Sequence, residues 1–324
     1  MQPDWQKFLL AHEPMAGRLV GSAPDIILTD LSHAGLIRVE GTDAVAFLQG
    51  QLSTDIEKLS DSVCQLSSWN NAKGRVVALL HLFRWDGAIY LALPSALTPP
   101  VLKRLSMYVL RSKVKLTDAT NTLARFGIAG PGTDALLAQS GVTVPPAALA
   151  VTYAEGTQVI RLYGDVPRYT VKAPVPKLIE LWGKLEALGV RPADDEDWAL
   201  AKLSAGEPSV FPETSEHFVA QMLDLDKLSA IDFKKGCYIG QEVIARAHYR
   251  GGVKRHLARA ESQLSARLKP GTEIHAEDMD SPVAEVVDAR LDGAGVCQML
   301  LVIQDDAREM SLVHAASRAP VKLI

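Results

Sequence analysis

The spacing between strand-like segments is the feature that most limits which fold this sequence can adopt. Short apolar runs alternate with helical ones, and the turn Asn70-Asn71-Ala72-Lys73-Gly74 separates predicted strands within residues 64–93. A tight turn can join antiparallel strands, since Asn and Gly tolerate positive φ, whereas a parallel pair needs a crossover of about a dozen residues. The sequence therefore predicts an α+β fold with antiparallel sheets and not a doubly wound parallel sheet.

The N-terminal part predicts two strands followed by a helix. Residues 26–28 and 36–39 are strand-like, and the apolar spacing after Gly41 indicates a short helix with Thr42 or Asp43 as its cap. Further along, a run that begins after Pro100 starts as an amphipathic helix and ends as a strand.

The segment before Trp198 is predicted to contain a helix and a polar connection. Residues 175–188 have the spacing of a helix, and residues 191–195 form a polar connection to the next one. The acidic run 194–197 is most simply interpreted as a solvated loop.

The C-terminal part has a different pattern. After Gly251 and Gly252, short runs with a period of two are separated by turn sequences such as Pro270-Gly271 and Asp292-Gly293. This pattern predicts a small all-β barrel or sandwich. The predicted strands are residues 254–260, 273–276, 282–289, 296–304 and 319–324.

Length and composition exclude several classes of protein. With 324 residues the chain suits two or three compact units, and a formal net charge of -4 restricts any nucleic-acid contact to a local basic patch and disfavours non-specific DNA binding. The three cysteines, Cys64, Cys237 and Cys297, form no CxxC pair, so a reducing compartment fits best. Residues 1–21 lack the apolar stretch of a signal peptide, and no long apolar span follows. These features predict a cytoplasmic protein without a membrane segment.

The segment 234–242 is the strongest candidate for chemistry. Cys237 lies between Gly236 and Gly240, beside Lys235 and Tyr238. Nearby cations favour the thiolate, which is the reactive form of cysteine, and glycines permit a close backbone approach to a ligand. A functional thiol is one hypothesis. The alternative, equally weighted from spacing alone, is that Cys237 is a small buried residue beside a tight turn.

The residues near Cys237 can also be interpreted either as functional or as structural. Gln241 and Glu242 either line a ligand site or satisfy backbone groups at the start of a helix that includes residues 243–247. Among the basic residues, only Lys235 and Arg246 are selected as functional candidates, because they flank the thiol. A single cysteine cannot supply the four thiolates of a typical cluster, so no metal site is predicted within the chain.

The sequence KGCYIGQE resembles the signature of the YgfZ proteins, which are folate-binding relatives of the glycine-cleavage T-protein linked to tRNA modification and to iron–sulfur enzymes. The resemblance extends from about Asp25 to Ile324. It includes LIRVEGTDAVAFLQGQLSTD, the turn NNAKGR and MYVLRSKV.

The resemblance implies a T-protein-like ring of three modules around a central folate pocket. Residues 1–240 would form two interleaved α+β modules, and residues 241–324 would form a C-terminal β-barrel-like domain. Trp198 matches a tryptophan that contacts folate in the family, and an indole face can stack on a flat pterin. Without the resemblance, a core tryptophan on a helix is the more common interpretation.

The chain departs from the family pattern at two places that bear on function. Ala34, preceded by His33, stands where a second folate-contacting tryptophan is expected. T-protein aminomethyltransferases carry an acidic residue shortly after the glycine that corresponds to Gly74, but residues 75–79 contain no carboxylate. The proton chemistry of that reaction therefore lacks its expected participant, which argues against a glycine-cleavage enzyme.

Three functional hypotheses follow. The first is a folate-dependent accessory factor that binds tetrahydrofolate through Trp198, Gln241 and Glu242. It uses Cys237 to maintain iron–sulfur enzymes, including those that methylthiolate tRNA. The second is a folate-dependent one-carbon transferase or demethylase, and the third is a binding module with a structural Cys237. Direct tRNA binding is a weaker expectation, because the net charge is acidic.

Overall fold

The computed structural model describes residues 2–12 and 26–324. Asp25, where the resemblance begins, and much of the segment used to exclude a signal peptide lie outside these ranges. Within them, the helix Pro3–Leu10 buries Trp5 against Trp182, with ring centroids 5.8 Å apart. None of the described helices is long and apolar enough to span a bilayer.

In the described ranges, runs of up to three strands are separated by helices as far as Arg250, and six strands then follow with no further α-helix. The helices are α1 (Pro3–Leu10), α2 (Ala44–Gln49), α3 (Thr98–Ser106), α4 (Thr133–Gln139), α5 (Val175–Ala187), α6 (Asp195–Ser204) and α7 (Gln241–Arg250). The strands are β1 (Ile27–Asp30), β2 (Gly35–Glu40), β3 (Gln65–Asn70), β4 (Val76–Trp85), β5 (Ala88–Leu93), β6 (Lys115–Asp118), β7 (Arg125–Ala129), β8 (Val151–Ala154), β9 (Thr157–Arg161), β10 (Arg168–Lys172), β11 (Arg191–Pro192), β12 (Arg255–Ser262), β13 (Glu273–Ala276), β14 (Pro282–Leu291), β15 (Cys297–Gln304), β16 (Leu312–His314) and β17 (Pro320–Leu323).

A five-stranded antiparallel sheet forms the first unit, in the order β3-β4-β5-β2-β6. The predicted turn joins β3 to β4, and the Asn71 side-chain oxygen accepts hydrogen bonds from the backbone N–H groups of Lys73 and Arg75 at 2.9 and 3.1 Å. Gly74 has a φ of 70°, as the turn requires. The prediction of antiparallel strands in this region is confirmed.

The second unit is a six-stranded sheet in the order β11-β1-β7-β10-β9-β8. All of its pairs are antiparallel except β1 with β11, which are parallel. The strand β11 corrects one prediction, because residues 191 and 192 pair with Ile27 and Leu28 and do not form a simple polar connection.

The third unit is a closed antiparallel barrel in the order β12-β15-β14-β13-β16-β17, in which β17 also pairs with β12. Every strand predicted after Gly252 is present. The sequence pattern missed β16, whose three residues are too few to show a period of two.

Two further corrections concern helix caps. Asp194 is the N-cap of α6, and its side chain accepts hydrogen bonds from the backbone N–H groups of Glu196 and Asp197 at 3.0 Å. The acidic run is therefore the first turn of a helix, where negative charge is favourable, and not a loop. Asp43 occupies the cap position of α2, but its carboxylate accepts from the backbone N–H of Lys113 at 2.7 Å.

The two sheets and the barrel enclose a central cavity, because side chains from all three line it. The predicted α+β class and ring of three modules are confirmed. The proposed boundary between residues 240 and 241 stays a prediction; α7 contributes Ile244 to the hydrophobic core of the five-stranded sheet.

Candidate functional site

The central cavity has a volume of about 400 Å³. Leu79 and Phe83 come from the first sheet, Ile160 and Thr170 from the second, and Arg290 from the barrel. A volume in this range suits a small organic ligand, for which pockets are usually about 300–1,000 Å³. The cavity is thus large enough for a cofactor and is lined by all three units.

Trp198 lines this cavity, as the predicted folate contact requires. Asp194 caps the helix that carries it, and the indole packs against the backbone of Gly127 on β7. A Cβ atom at position 127 would lie 2.5 Å from Cζ3 of Trp198, so only glycine leaves room for the ring. The guanidinium carbon of Arg168 lies 5.9 Å from the ring centroid. These contacts fix the position of the indole.

His33 and Ala34 also line the cavity. The small side chain of Ala34 therefore leaves cavity space where the family resemblance implies a second tryptophan. His33 Nε2 lies 3.0 Å from the carboxylate of Asp195, and Nδ1 lies 3.7 Å from that of Asp30. The hydrogen bond to Asp195, followed by that to Asp30, raises the pKa of His33 to about 9. An imidazolium thus links β1 to the start of α6.

A buried charge network forms another part of the cavity wall. Glu207 accepts hydrogen bonds from Nη2 of Arg168 at 2.8 Å and from Nε2 of His81 at 2.7 Å, and Nζ of Lys202 lies 3.4 Å away. Burial favours the neutral acid, yet His81, Lys202 and Arg168 together hold the pKa of Glu207 well below its usual range. Glu207 is therefore an ionised acceptor that orients three basic side chains.

Cys237 lies outside this cavity, on the exposed surface of the loop between the 3-10 helix Ala220–Leu223 and α7. Exposure rules out the interpretation of Cys237 as a buried core residue. The other two cysteines, Cys64 and Cys297, are buried. Burial raises the pKa of Cys64 to about 12, so this cavity-lining thiol is protonated at neutral pH.

Lys235 anchors the cysteine loop. Its ammonium donates hydrogen bonds to the backbone carbonyl oxygens of Gln49, Leu52 and Thr54 at 2.8, 2.8 and 2.7 Å, and it lies 5.1 Å from the ring centroid of Tyr238. Burial lowers the pKa of Lys235 to about 8. The three donors of this ammonium are thus committed to the backbone of the first sheet unit.

The two glycines of the motif differ in their surroundings. Gly240 has a φ of 82°, and a Cβ atom there would lie 2.5 Å from the carbonyl oxygen of Asn71. The cysteine motif and the turn NNAKGR, singled out separately in the sequence, therefore pack directly on each other. At Gly236 a Cβ atom would meet nothing within 4 Å and φ is not positive, so the described fold does not itself require glycine there, and a close approach to a ligand stays a prediction.

The remaining motif residues begin the helix α7. Gln241 donates its backbone N–H to the carbonyl of Tyr238 at 3.2 Å, and Glu242 lies in the first turn. Arg246 is exposed and makes no ion pair with any residue in the described ranges. None of Gln241, Glu242 and Arg246 lines the central cavity. The structure thus separates the two predicted folate contacts in the motif from Trp198.

Several cavity residues were not found by sequence reasoning. They are charged side chains on interior strands, namely Arg125, Arg168 and Lys172, together with His81 and Glu207. The polar residues at 168, 170 and 172 alternate with Tyr169 and Val171, which indicates a polar face on a buried strand. No group of His, Cys, Asp and Glu in residues 2–12 and 26–324 is arranged to hold a metal ion.

The chain is similar to known proteins over most of its length. The GCVT N-terminal domain family matches residues 23–160. The tRNA-modifying protein YgfZ of Colwellia psychrerythraea is 31% identical over 244 residues, which are 74% of this chain and 73% of that protein. The corresponding protein of Pectobacterium atrosepticum is 32% identical over 253 residues, 76% of this chain and 74% of that one.

The fold is also that of a solved aminomethyltransferase. The glycine cleavage system aminomethyltransferase T of Bartonella henselae superimposes with a TM-score of 0.72 and covers 93% of this chain and 86% of its own, at 16% identity. That similarity shows a shared fold. Together with the extent and identity of the sequence matches, it means that the chain belongs to the YgfZ family of tRNA-modifying proteins and carries a GcvT-like domain.

Proposed function

We propose that the protein binds a reduced folate in its central cavity and supports tRNA modification and the maintenance of iron–sulfur enzymes through Cys237. The observation that carries the proposal is the position of Trp198. This indole lines a cavity of about 400 Å³ in a fold shared with a glycine-cleavage aminomethyltransferase. The clients would be iron–sulfur enzymes of the cytoplasm, such as proteins that methylthiolate tRNA.

The residues of the cavity fit a pterin. Trp198 offers an aromatic ring, Leu79 and Leu162 offer apolar surface, and Arg168 offers hydrogen-bond donors. The Nε and Nη1 atoms of Arg168 are buried and have no hydrogen-bond partner among the described residues. Because an unsatisfied buried donor is costly, a ligand with acceptor atoms is favoured here. Bound tetrahydrofolate would supply a carrier for one-carbon units.

The exposed thiol of Cys237 is suited to contact with a partner protein. The hydrogen bonds of Lys235 to three backbone carbonyls hold the loop in place. The open space around Gly236 leaves the surface beside the thiol accessible. One thiolate does not complete the ligand set of a typical iron–sulfur cluster. A partner protein or a small thiol would therefore complete any cluster held transiently at Cys237.

The aminomethyltransferase reaction is not the proposed activity. Residues 76–80 of β4 are all buried and apolar, so this strand supplies no carboxylate to the cavity. Glu207 is the buried carboxylate that accepts a hydrogen bond from His81 on this strand. It also accepts a hydrogen bond from Arg168. An ionised carboxylate held by several cations is a poor general base, since those cations lower its pKa.

Titration with tetrahydrofolate tests the pocket. Purified protein is followed by intrinsic tryptophan fluorescence for the native chain, for Trp198→Ala and for Trp85→Ala, whose side chain lies outside the cavity lining. We expect a saturable response from the native chain and from Trp85→Ala, and affinity at least about 10-fold weaker for Trp198→Ala, measured by calorimetry. A native protein that binds no reduced folate contradicts the proposal.

Replacement of Cys237 tests the thiol. Cys237→Ala should keep tetrahydrofolate affinity and thermal stability, because the side chain is exposed. In cells that lack the native gene, it should fail to restore tRNA methylthiolation, whereas Cys297→Ala, if it folds, should restore it. Full restoration by Cys237→Ala would contradict the proposed chemical function of this thiol.

A further inference from the structure

Two buried cations face each other on the wall of the cavity. Arg125 on β7 and Lys172 on β10 are register partners in neighbouring antiparallel strands, and both side chains line the cavity. They are only 3% and 2% exposed. Like charges directly opposite each other destabilise a strand pair, and burial of charge adds a desolvation cost. Such a pair therefore calls for a compensating negative charge.

The protein supplies these two cations with neutral acceptors. Arg125 donates to the backbone carbonyls of Leu123 and Ala34 at 3.1 and 2.5 Å. Lys172 donates to the hydroxyl of Thr170 at 3.2 Å. The Lys172 ammonium also lies 4.1 Å from the ring centroid of Phe83, another residue of the cavity lining, and none of these partners carries a formal negative charge.

The carboxylates that line the cavity are paired with other groups. In residues 2–12 and 26–324, no carboxylate oxygen lies within 4.0 Å of the charged nitrogens of Arg125 or Lys172. Asp30 acts on Arg125 only from a greater distance, and it raises the pKa that burial lowers. The carboxylates of the cavity wall pair instead as Glu207 with Arg168, Asp195 with His33, Glu196 with Arg267, and Asp288 with Arg290.

We infer that Arg125 and Lys172 form an anion-binding subsite, which takes a carboxylate or phosphate group of the ligand in the cavity. An Arg fork and a Lys ammonium on one wall provide the donors and the charge that such a group needs. Arg168 lies on the same face of β10 as Lys172, and its two unpartnered nitrogens extend this basic wall.

The electrostatics of this wall agree with the geometry. Burial, with a further contribution from Arg125, lowers the pKa of Lys172 to about 7. An anion bound between the two side chains would reverse the repulsive contribution and favour the ammonium. The identity of the anion rests on the proposed function: if the ligand is a folate, the anion is a carboxylate of its glutamate.

The test compares Lys172→Met with Lys269→Met, a matched change at an exposed lysine outside the cavity. Three probes are titrated by calorimetry and thermal melting: p-aminobenzoylglutamate, which has carboxylates but no pterin, inorganic phosphate, and tetrahydrobiopterin, which has a pterin but neither anion. Arg125→Lys, which keeps the charge but loses the fork, provides a second variant that preserves a basic group.

An anion that raises the Tm of the native chain and of Lys269→Met, but not that of Lys172→Met, supports the subsite. Affinity for that anion should fall at least about 10-fold in Lys172→Met and by less in Arg125→Lys. A response to p-aminobenzoylglutamate identifies a carboxylate as the ligand group, and a response to phosphate alone identifies a phosphorylated ligand.

The melting curves without ligand separate binding from a structural purpose of Lys172. We expect Lys172→Met to melt at the same temperature as the native chain or higher, because it removes an uncompensated buried charge. A lower Tm together with unchanged anion affinity overturns the inference, as does a native chain that responds to neither anion. If tetrahydrobiopterin binds and neither anion does, the folate proposal stands and the subsite is refuted. If an anion binds and no reduced pterin does, the subsite stands and the folate proposal is refuted.

Discussion

Arg168 and Glu207 form an ion pair at 2.8 Å in which both side chains are 1% exposed. Burial of this pair is compatible with folding because Glu207 also accepts from His81. The pair joins β10 to the segment after α6, and thus connects the strand that carries the basic wall with the helix that carries Trp198. Its geometry holds two walls of the cavity together.

Replacing Glu207 by Gln should therefore destabilise the protein. The change leaves the buried guanidinium of Arg168 without its counter-charge, and removal of one partner from a buried pair costs about 3–5 kcal/mol. Urea unfolding measures the loss in the free energy of unfolding. Glu213→Gln, at an exposed position, is the control and should change it by less than about 0.5 kcal/mol. Equal stability of the two variants would refute the stabilising effect of the pair.

Stability should fall as pH rises from near neutrality into the alkaline range because of His33. Its folded pKa of about 9 lies above the ordinary histidine value of 6.5, so its protonated form is the one that the fold stabilises. The contribution is fully present below pH 6.5 and is lost as pH rises through about 9. Thermal melts across this window should show a smaller decrease for His33→Gln than for the native chain. Parallel curves would show that the pair with Asp195 has no effect.

Gly127→Ala should displace Trp198. The added Cβ atom would lie 2.5 Å from the indole, so the ring or the strand must shift. We expect a loss of stability of about 1–3 kcal/mol from overpacking, together with a changed tryptophan emission maximum. Gly183→Ala, at a helical position where a Cβ atom meets nothing within 4 Å, serves as the control and should leave the emission spectrum unchanged.

One thiol should react quickly in the native protein. Cys237 is exposed, while Cys64 and Cys297 are buried. A chromogenic disulfide reagent should therefore modify one cysteine per chain before unfolding and all three in denaturant. Cys237→Ala should abolish the fast phase. A fast phase that survives in this variant would show that a second cysteine is accessible.

Lys235→Met should loosen the cysteine loop. Three backbone carbonyls lose a donor, and buried acceptors left without partners each carry a desolvation cost of about 1–3 kcal/mol. Solvent relaxation at these sites reduces the total, so we expect about 2–4 kcal/mol of destabilisation and faster hydrogen exchange in residues 232–240. Lys234→Met, at the neighbouring lysine, is the matched control and should behave as the native chain.

Local patterns were sufficient to predict much of the fold. The turn at Asn71 to Gly74 indicated a tight antiparallel connection because its residues tolerate the required backbone angles. The alternating runs after Gly252 indicated the barrel for a similar local reason. By contrast, the parallel pairing of β11 and the short β16 depend on partners distant in the chain, for which the local residues carry no pattern.

For the candidate site, too, some features could be predicted from the sequence and others depended on the tertiary structure. The sequence by itself determined the antiparallel α+β architecture and the Cys237 motif, because both depend on residue type and short-range spacing, whereas Trp198 became a candidate contact only through the resemblance to the YgfZ family. Only the tertiary structure decided that Cys237 is exposed and outside the cavity, that Lys235 binds three backbone carbonyls, and that Arg125 faces Lys172. The physical reason is that burial and charge pairing depend on which strands become neighbours, and strand neighbours are chosen by the packing of the whole chain.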